Sequence, residues 1–329
     1  MKRLLLLATG GTIAGCADDS TTLNDYTAGV LEGVALLAAV PQLQDLATIS
    51  VEQLANVDSA DLLFVHWRAL VARIRDAFAA DLDLAAVVIT HGTNTLEETA
   101  WLLHLLIDDS RPVVLVGAMR PATALSADGP LNLFQAVQTA VSPAAIGHGV
   151  LVVMDGAIHG ARHVTKVATQ GIGAFSSREV APLGWVDDAG VHLPEPPASV
   201  ASAPFAALTS LERWPQVAIV YGCVEPPAQL LPLLLQAGVN GLVFTGTGAG
   251  QLSVVERQAL EAWSGELPLM LRANRCGAGP VHQCDVDAAL GLLPAGTLSP
   301  QKARVLLLLA LMMGWDRPTL AEWLSASPR

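Results

Sequence analysis

Two threonines that follow glycine turns are the residues of this sequence best suited to covalent chemistry. Thr12 ends the segment TGGT (9–12), and Thr93 follows Gly92. Both threonines come just after a short apolar run. Glycines permit a tight turn and let a ligand approach the backbone closely. A threonine hydroxyl at such a turn becomes a nucleophile when a neighbouring group removes its proton. The alternative for Thr12 is an ordinary strand–helix turn in which its hydroxyl caps the helix.

The segment after Thr12 is polar and has no apolar period. Residues 15–29 read GCADDSTTLNDYTAG, and irregular segments of this length in compact domains often serve as active-site lids. The segment carries Tyr26, one of two tyrosines in the chain. A phenol on a closed lid can exchange a proton with a nucleophile. The alternative is that Tyr26 packs on the surface.

The second threonine lies in the segment THGTNT (90–95), just before a predicted helix. Thr95 and Glu98 have the spacing of a capping box, with Asn94 or Thr95 as the helix cap. A functional interpretation places Thr93 and the helix N-terminus against a substrate carboxylate or an attacking water, because free N–H groups there favour negative charge. The two interpretations are compatible. His91 is predicted to be a structural hydrogen-bonding residue.

Lys166 is unusual because this chain has only three lysines against fifteen arginines, and it is the only lysine between positions 2 and 302. Arginine stays protonated, whereas the pKa of lysine changes readily when the side chain is buried. The segment RHVTK (162–166) therefore predicts an ammonium group whose pKa is tuned by its surroundings.

These candidates follow buried strands in an alternation of short apolar runs and longer amphipathic segments. Such alternation predicts parallel sheets with helices on both faces, and ligands bind such sheets beyond the carboxyl ends of the strands. The predicted strands are 4–9, 85–90, 112–117, 149–155, 216–222, 241–246 and 267–273, and the predicted helices are 96–107, 131–141, 227–238, 253–263 and 300–314.

Composition limits the class of protein. The 329 residues are 52% hydrophobic and 15% charged, below the usual charged content of about 25%, which indicates a globular protein with a large core. The net charge of −12 argues against nucleic acid or an anionic membrane as a partner, because both bind clustered cations. No apolar run approaches the ~20 residues of a membrane span. Four scattered cysteines predict free thiols, with a Cys276–Cys284 pair as the alternative.

The chain is long enough for two domains. Residues 192–208, rich in Pro, Ala and Ser, predict a linker, so we expect an N-terminal α/β domain over 1–191, a linker over 192–212 and a C-terminal α/β domain over 213–329. The leucines after Lys2 and Arg3 form too short a run for a signal peptide and pass straight into a glycine turn. We therefore expect a first strand there and residence in the cytoplasm.

Taken together, these motifs resemble the L-asparaginase/glutaminase-asparaginase family, and its tetrameric type II members most of all. The resemblance covers nearly the whole chain and is carried by eight ordered blocks: ATGGTIAG (8–15), VDSAD (57–61), ITHGTNTLEETA (89–100), VGAMRP (116–121), SADGPLNL (126–133), GVLVVMDG (149–156), HVTK (163–166) and GTLSPQKAR (296–304).

The resemblance implies hydrolysis of the side-chain amide of L-asparagine to L-aspartate and ammonia, with L-glutamine as a further substrate. One methylene is worth only about 1–3 kcal/mol of discrimination, so the sequence leaves the preference open. The resemblance also implies two α/β domains, the N-terminal one flavodoxin-like, with no metal and no cofactor. It implies a homotetramer, a dimer of dimers in which the neighbouring subunit completes each active site.

Site residues follow from the same resemblance. Thr12 corresponds to the threonine that forms the acyl-enzyme, and Tyr26 to the lid tyrosine that assists it. Thr93 corresponds to the second catalytic threonine and Lys166 to its lysine partner. Substrate contacts fall to Ser59, which corresponds to the α-carboxylate-binding serine, to the backbone of Ala118 on the oxyanion side, and to Gly11, Gly92, Thr93 and Asn94.

Position 94 departs from the family pattern. Asn94 stands where the family has an aspartate that binds the substrate α-ammonium and completes the Thr–Lys–Asp set. Because a hydrogen bond to a charged group is worth about 1.5–3 kcal/mol, we expect the lost charge to lower kcat/KM on the order of 10–100-fold. Ala60 and Gln251 also differ from the pattern, and either Asp285 or Asp287 is expected to be the acidic residue given to the neighbouring subunit.

Two alternatives differ in function class. One is a catalytically impaired homologue that binds an amino acid without efficient turnover, which Asn94 favours. The other is a nucleotide-binding enzyme, suggested by glycines 246, 248 and 250 after a strand. A dinucleotide fingerprint requires glycine at position 251, where this chain has Gln251.

Overall fold

The computed structural model describes residues 1–196 and 205–326 and divides the chain into two compact units, Met1–Ala207 and Leu208–Arg329. Both units have α/β architecture, which confirms the predicted fold class. The proposed linker 192–212 begins at the last residue of a strand, and its residues 197–204 lie outside the described residues. The proposed domain boundaries stay a prediction.

The first unit contains ten strands and five α-helices within its described residues. The strands are β1 (Lys2–Gly10), β2 (Ala47–Val57), β3 (Leu84–Thr90), β4 (Val113–Val116), β5 (Val150–Met154), β6 (Ala157–Gly160), β7 (Thr165–Lys166), β8 (Phe175–Ser176), β9 (Gly184–Asp187) and β10 (Gly190–His192). The helices are α1 (Gly33–Ala38), α2 (Leu43–Leu46), α3 (Phe64–Ala80), α4 (Leu96–Leu106) and α5 (Gly129–Val141).

Eight of these strands form one sheet in the order β10-β9-β6-β5-β4-β3-β1-β2. The five strands from β2 to β5 are parallel and follow the order 2-1-3-4-5, which is the flavodoxin-like order. Its topological switch point lies between β1 and β3, where ligands bind in such sheets. Thr12 and Thr93 follow these two strands.

The sheet continues past β5 with antiparallel strands that the sequence analysis missed. Asp155 and Gly156 connect β5 to β6 and both have positive φ, 49° and 74°. This two-residue Asp-Gly connection has the backbone signs of a type I′ hairpin turn, which matches the twist of antiparallel strands. The pairings of β6 with β9 and of β9 with β10 are antiparallel as well.

The central strands are apolar throughout because helices cover both faces of the sheet. Leu4 and Leu6 of β1 lie in one core cluster with Leu133 and Val137 of α5. Their neighbours Leu5 and Leu7 alternate to the opposite face and are buried too. A strand buried on both faces needs an unbroken apolar run, which explains why β1, β3, β4 and β5 could be predicted.

The elements of the second unit are β11 (Val217–Tyr221), β12 (Gly241–Gly246), β13 (Leu269–Asn274), β14 (Leu292–Pro294), α6 (Leu230–Gln236), α7 (Val254–Glu261), α8 (Asp285–Leu290), α9 (Pro300–Met312) and α10 (Arg317–Ala326). Its four strands form one sheet in the order β11-β12-β13-β14, and all the pairs are parallel. Apolar residues of α6, α7 and the sheet form its core, including Leu231, Leu260 and Phe244. Across the described residues, the structure has no helix long and apolar enough to cross a membrane.

Two glycines let the loops after β1 and β3 meet at the switch point. Gly11 has a φ of +81°, and a Cβ added to it would overlap the backbone of Gly92. A Cβ added to Gly92 would lie 2.7 Å from the Ser59 hydroxyl oxygen. The N–H of Gly11 also donates to the carbonyl of Val57 at the end of β2 (2.9 Å). The loops after β1, β2 and β3 are therefore in backbone contact.

Replacing Gly11 by alanine should destabilise the protein more than the same change at Gly171. Both glycines have a φ near +80°, but the space around Gly171 is open within 4 Å. Gly171→Ala measures the backbone strain alone, about 1–2 kcal/mol, and Gly11→Ala adds a clash with backbone atoms. Denaturant unfolding of both variants should give Gly11→Ala the larger loss of unfolding free energy. Equal losses would show that the two loops are not in close contact.

Candidate active site

Thr12 lies on a one-turn 3-10 helix, Thr12–Ala14, at the carboxyl end of β1. The residue is buried, with 7% of its surface exposed. Gly11 is the N-cap residue of this turn and no side chain caps it, so the alternative in which the Thr12 hydroxyl caps the helix is wrong. Its hydroxyl oxygen instead lies 2.7 Å from the phenol oxygen of Tyr26. The structure thus pairs a candidate nucleophile with a group that can exchange its proton.

The segment 15–29 lies over Thr12 and is held by backbone hydrogen bonds. Cys16 and Thr27 form an antiparallel bridge with two hydrogen bonds of 3.0 Å. The loop after β4 ties the segment down as well, since the N–H of Ala122 donates to the carbonyl of Gly15 (2.8 Å). The Tyr26 ring packs on Gly15 so closely that a Cβ there would lie 2.8 Å from the ring. Tyr26 is therefore directed inward, toward Thr12.

Ser59 opens a second 3-10 turn, Ser59–Asp61, directly after β2. It is 2% exposed, and its hydroxyl accepts a hydrogen bond from the N–H of Asn94 (3.0 Å). Its carbonyl accepts a hydrogen bond from the hydroxyl of Thr95 (2.8 Å). Thr95 is the N-cap residue of α4 but makes no side-chain cap bond, so the predicted capping box is wrong. Its hydroxyl joins the two loops instead of capping the helix.

Lys166 reaches the loop after β3. Its ammonium donates to the hydroxyl oxygen of Thr93 (2.9 Å) and to the side-chain oxygen of Asn94 (3.0 Å). Burial lowers the pKa of Lys166, and the negative charge of Asp58 acts in the opposite direction. Since Thr93 accepts this bond, its own hydroxyl proton is left to another acceptor. The arrangement has a tunable amine beside a hydroxyl, as the sequence analysis expected.

Asp58 is a polar residue of this cluster that the sequence analysis did not select. Its carboxylate accepts a hydrogen bond from the side-chain amide of Asn94 (3.1 Å). The same oxygen accepts the N–H of Ala60 (2.8 Å) and caps the turn that begins at Ser59. The signal available in the sequence was an aspartate directly before Ser59.

Ala118 is fully buried in the loop after β4. The Asp128 carboxylate holds the loop, because it accepts the N–H groups of Met119 and Arg120, both at 2.9 Å. The side-chain amide of Asn132 donates to the carbonyl of Gly117 (3.1 Å). These bonds fix the backbone on either side of Ala118.

His91 is buried in the loop after β3 and has a structural contact. A ring nitrogen, Nδ1, lies 2.7 Å from the carbonyl of Gly92, and because that carbonyl only accepts, the nitrogen must carry the proton. Burial lowers the pKa of His91 to about 4, so the ring is neutral near pH 7. His91 therefore supports the backbone that carries Thr93, in line with the structural role expected from the sequence.

In the second unit, the two acidic candidates for the neighbouring subunit differ in their surroundings. Asp287 is fully buried and pairs with Arg272 through two oxygens at 2.6 Å. Asp285 lies two residues earlier on α8 and is exposed. Asp287 is thus engaged within its own unit, which favours Asp285. The part of the chain described by the structure has no group of three or more His, Cys, Asp and Glu side chains suited to hold a metal ion.

Acidification should destabilise the protein through His91. Its pKa is lower in the folded chain than the ordinary 6.5, so the unfolded chain binds more protons between pH 6.5 and 4. Stability should therefore fall as the pH drops through this range, by about 3 kcal/mol from this group. Unfolding free energies measured from pH 7 to pH 4 should fall less steeply for His91→Asn than for the parent. His282→Asn, on an exposed histidine, should keep the parent slope, and a parent slope in His91→Asn would contradict the assignment.

Comparison with known proteins places the chain in a family. Residues 3–199 match the family model described as Asparaginase, N-terminal, and residues 216–324 match the Glutaminase/Asparaginase C-terminal domain. L-asparaginase 2 of Escherichia coli is 41% identical over 323 residues, which cover 96% of this chain and 90% of that protein. A Haemophilus influenzae protein named probable L-asparaginase periplasmic is 38% identical over 327 residues, covering 98% and 92%. The crystal structure of a probable cytoplasmic L-asparaginase from Campylobacter jejuni has a TM-score of 0.91 at 39% identity and covers 99% of both chains. This chain therefore belongs to the asparaginase family.

Proposed function

We propose that this protein is an amidohydrolase that converts L-asparagine to L-aspartate and ammonia through an acyl-enzyme on Thr12. The observation that carries the proposal is the 2.7 Å contact between the buried Thr12 hydroxyl and the Tyr26 phenol. Family membership supports the reaction class, and the relatives compared above are named as an L-asparaginase or as probable L-asparaginases.

In the first half of the reaction, Thr12 attacks the carboxamide carbon of the substrate. Its Oγ1–carbon bond forms while its proton passes through the Tyr26 phenol toward the amide nitrogen. Backbone N–H groups near Thr12 and Ala118 stabilise the negative charge on the carbonyl oxygen, usually the largest single contribution in such sites. The carbon–nitrogen bond then breaks, ammonia leaves and Thr12 carries an ester.

In the second half, water hydrolyses that ester. Thr93 and Lys166, in contact at 2.9 Å, are suited to hold this water, because the lowered pKa of Lys166 favours proton exchange. Water adds to the ester carbon, the bond to Oγ1 breaks and one proton of the water returns to Thr12. L-Aspartate leaves and the site is restored.

The remaining polar groups suit an α-amino acid. Ser59 and the backbone at Gly11 and Gly92 are suited to bind the α-carboxylate, and Asn94 offers an oxygen toward the α-ammonium. L-Glutamine is a further substrate in this proposal, because a pocket discriminates weakly against one added methylene. Parallel assays of ammonia release from L-asparagine, L-glutamine and D-asparagine decide the substrate preference.

A second candidate function is amino-acid binding with little turnover. The observation that favours it is Asn94, which gives Lys166 a neutral amide oxygen at 3.0 Å where the resemblance implies a carboxylate. Calorimetric binding of L-aspartate without ammonia release from any of the three amides would establish this alternative.

We also propose that the active protein is a homotetramer, a dimer of dimers in which Asp285 reaches the neighbouring subunit's site. Assembly would remove exposed large apolar side chains from water in both units, among them Val34, Leu63, Leu131, Tyr221 and Leu233. Residence in the cytoplasm is part of the proposal, and similarity to the probable cytoplasmic L-asparaginase of Campylobacter jejuni supports it. Sedimentation velocity would show a single species of one subunit mass if the assembly proposal is wrong.

Removing either reactive group should abolish catalysis. Thr12→Ala removes the nucleophile and Lys166→Met removes the amine beside Thr93, so each variant should lose at least ~10³-fold in ammonia release from L-asparagine. Thr12→Ser keeps a hydroxyl and should retain measurable activity. The assay is coupled detection of ammonia at saturating substrate.

Lys2→Met serves as the matched control for Lys166→Met. Lys2 is exposed and its ammonium donates to the carbonyl of Val141, away from the proposed site. This variant should keep the parent activity, and circular dichroism should show all variants folded. Normal turnover by folded Thr12→Ala would refute the proposed mechanism.

A further inference from the structure

A continuous row of hydrogen bonds joins Asp58 to Thr93 through two side chains. The Asp58 carboxylate accepts from the amide nitrogen of Asn94 (3.1 Å), and the amide oxygen accepts from Lys166 (3.0 Å). Lys166 donates in turn to the hydroxyl of Thr93 (2.9 Å). Three chain segments supply these groups: the turn after β2, the loop before α4, and β7.

The Asp58 contact decides which end of the Asn94 amide meets Lys166. An asparagine side chain presents an acceptor oxygen at one end and a donor nitrogen at the other. In the reversed orientation the amide nitrogen would face the ammonium of Lys166, and the amide oxygen would face the carboxylate of Asp58. Both contacts would then be repulsive, so Asp58 and Lys166 together select one orientation.

Asp58 also supplies a negative charge to this cluster. Asn94 is neutral, and the ammonium of Lys166 donates its hydrogen bonds to a hydroxyl oxygen and an amide oxygen. Burial lowers the pKa of Lys166, and the charge of Asp58 opposes that effect. The ammonium thus has a carboxylate partner one side chain away.

We propose that Asp58 is a positioning residue that replaces, through Asn94, the carboxylate expected at position 94 and so sets the orientation and charge of the Thr93–Lys166 pair. This inference rests on the proposed function for its catalytic consequence.

A role for Asp58 in the structure of the turn alone can be distinguished by experiment from the proposed positioning role. The Asp58 side chain caps the turn that carries Ser59 by accepting the N–H of Ala60 (2.8 Å). Asparagine caps turns and helices about as well as aspartate. Asp58→Asn therefore keeps the cap and the side-chain shape, and removes the charge.

The experiment is a double-variant cycle with Asp58→Asn, Asn94→Asp and their combination. In the parent background, Asp58→Asn should lower kcat for L-asparagine on the order of 10-fold or more, with a smaller change in KM. The combined variant returns one carboxylate to the cluster at position 94 and should regain kcat to within about threefold of the parent. Asp61→Asn is the matched control, since Asp61 is an exposed aspartate on the same turn, and it should keep the parent kcat.

Two results of this cycle would overturn the proposal. One is parent kcat in Asp58→Asn. The other is an equal loss from Asp58→Asn whether position 94 holds asparagine or aspartate, because the charge would then act independently of that position.

A readout without turnover separates this proposal from the proposed function. With only three lysines in the chain, ¹³Cε-labelled lysine gives few NMR signals, and Lys166→Met identifies the one from Lys166. Its pKa should fall in Asp58→Asn and stay at the parent value in Asp61→Asn. An unchanged value in Asp58→Asn would refute the role of Asp58. A parent that releases ammonia from no amide would refute the proposed function while this titration still decides the role of Asp58.

Discussion

The backbone contact between Gly11 and Gly92 is the constraint on which the candidate site depends. It occurs at the topological switch point of a parallel sheet, where the loops after β1 and β3 separate in most such folds to leave a crevice. Here the absence of side chains lets the loops touch. Thr12 and Thr93, each the next residue along, are thereby brought to the same edge of the sheet. Ser59 joins them because β2 ends beside Gly11.

The electrostatics of the site depend on how few negative charges lie near the ammonium of Lys166. Burial lowers the pKa of an ammonium, and a nearby anion opposes that effect; the cluster around Lys166 offers hydroxyl and amide oxygens, with Asp58 behind them. A carboxylate that is separated from the ammonium by one side chain acts at longer range, but it also fixes the amide of Asn94 in place. Asn94 and Asp58 can therefore supply together the lysine contact and the negative charge that a single aspartate would supply.

The sequence was informative where burial imposed a pattern. The strands buried on both faces were predicted because they must be apolar, and Thr12, Tyr26, Thr93 and Lys166 could be selected by residue type and surroundings. The edge strand β2 was missed because its exposed side chains interrupt the apolar pattern, and β6 because four residues after an Asp-Gly turn are too few to show a period. Asp58 could not be selected, since its importance comes from a hydrogen bond across 36 residues.

The scarcity of lysine has a practical consequence for handling the protein. Lys302 is 1% exposed, which leaves exposed Lys2 and half-buried Lys166 as the lysine side chains that a reagent in solution can reach. Amine-directed conjugation, surface immobilisation or cross-linking would attach to the molecule at few points, and one of them is in the proposed active site. A bound amino acid should shield that point, so ligand protection of Lys166 would give a labelling assay for occupancy that requires no chemistry on the substrate.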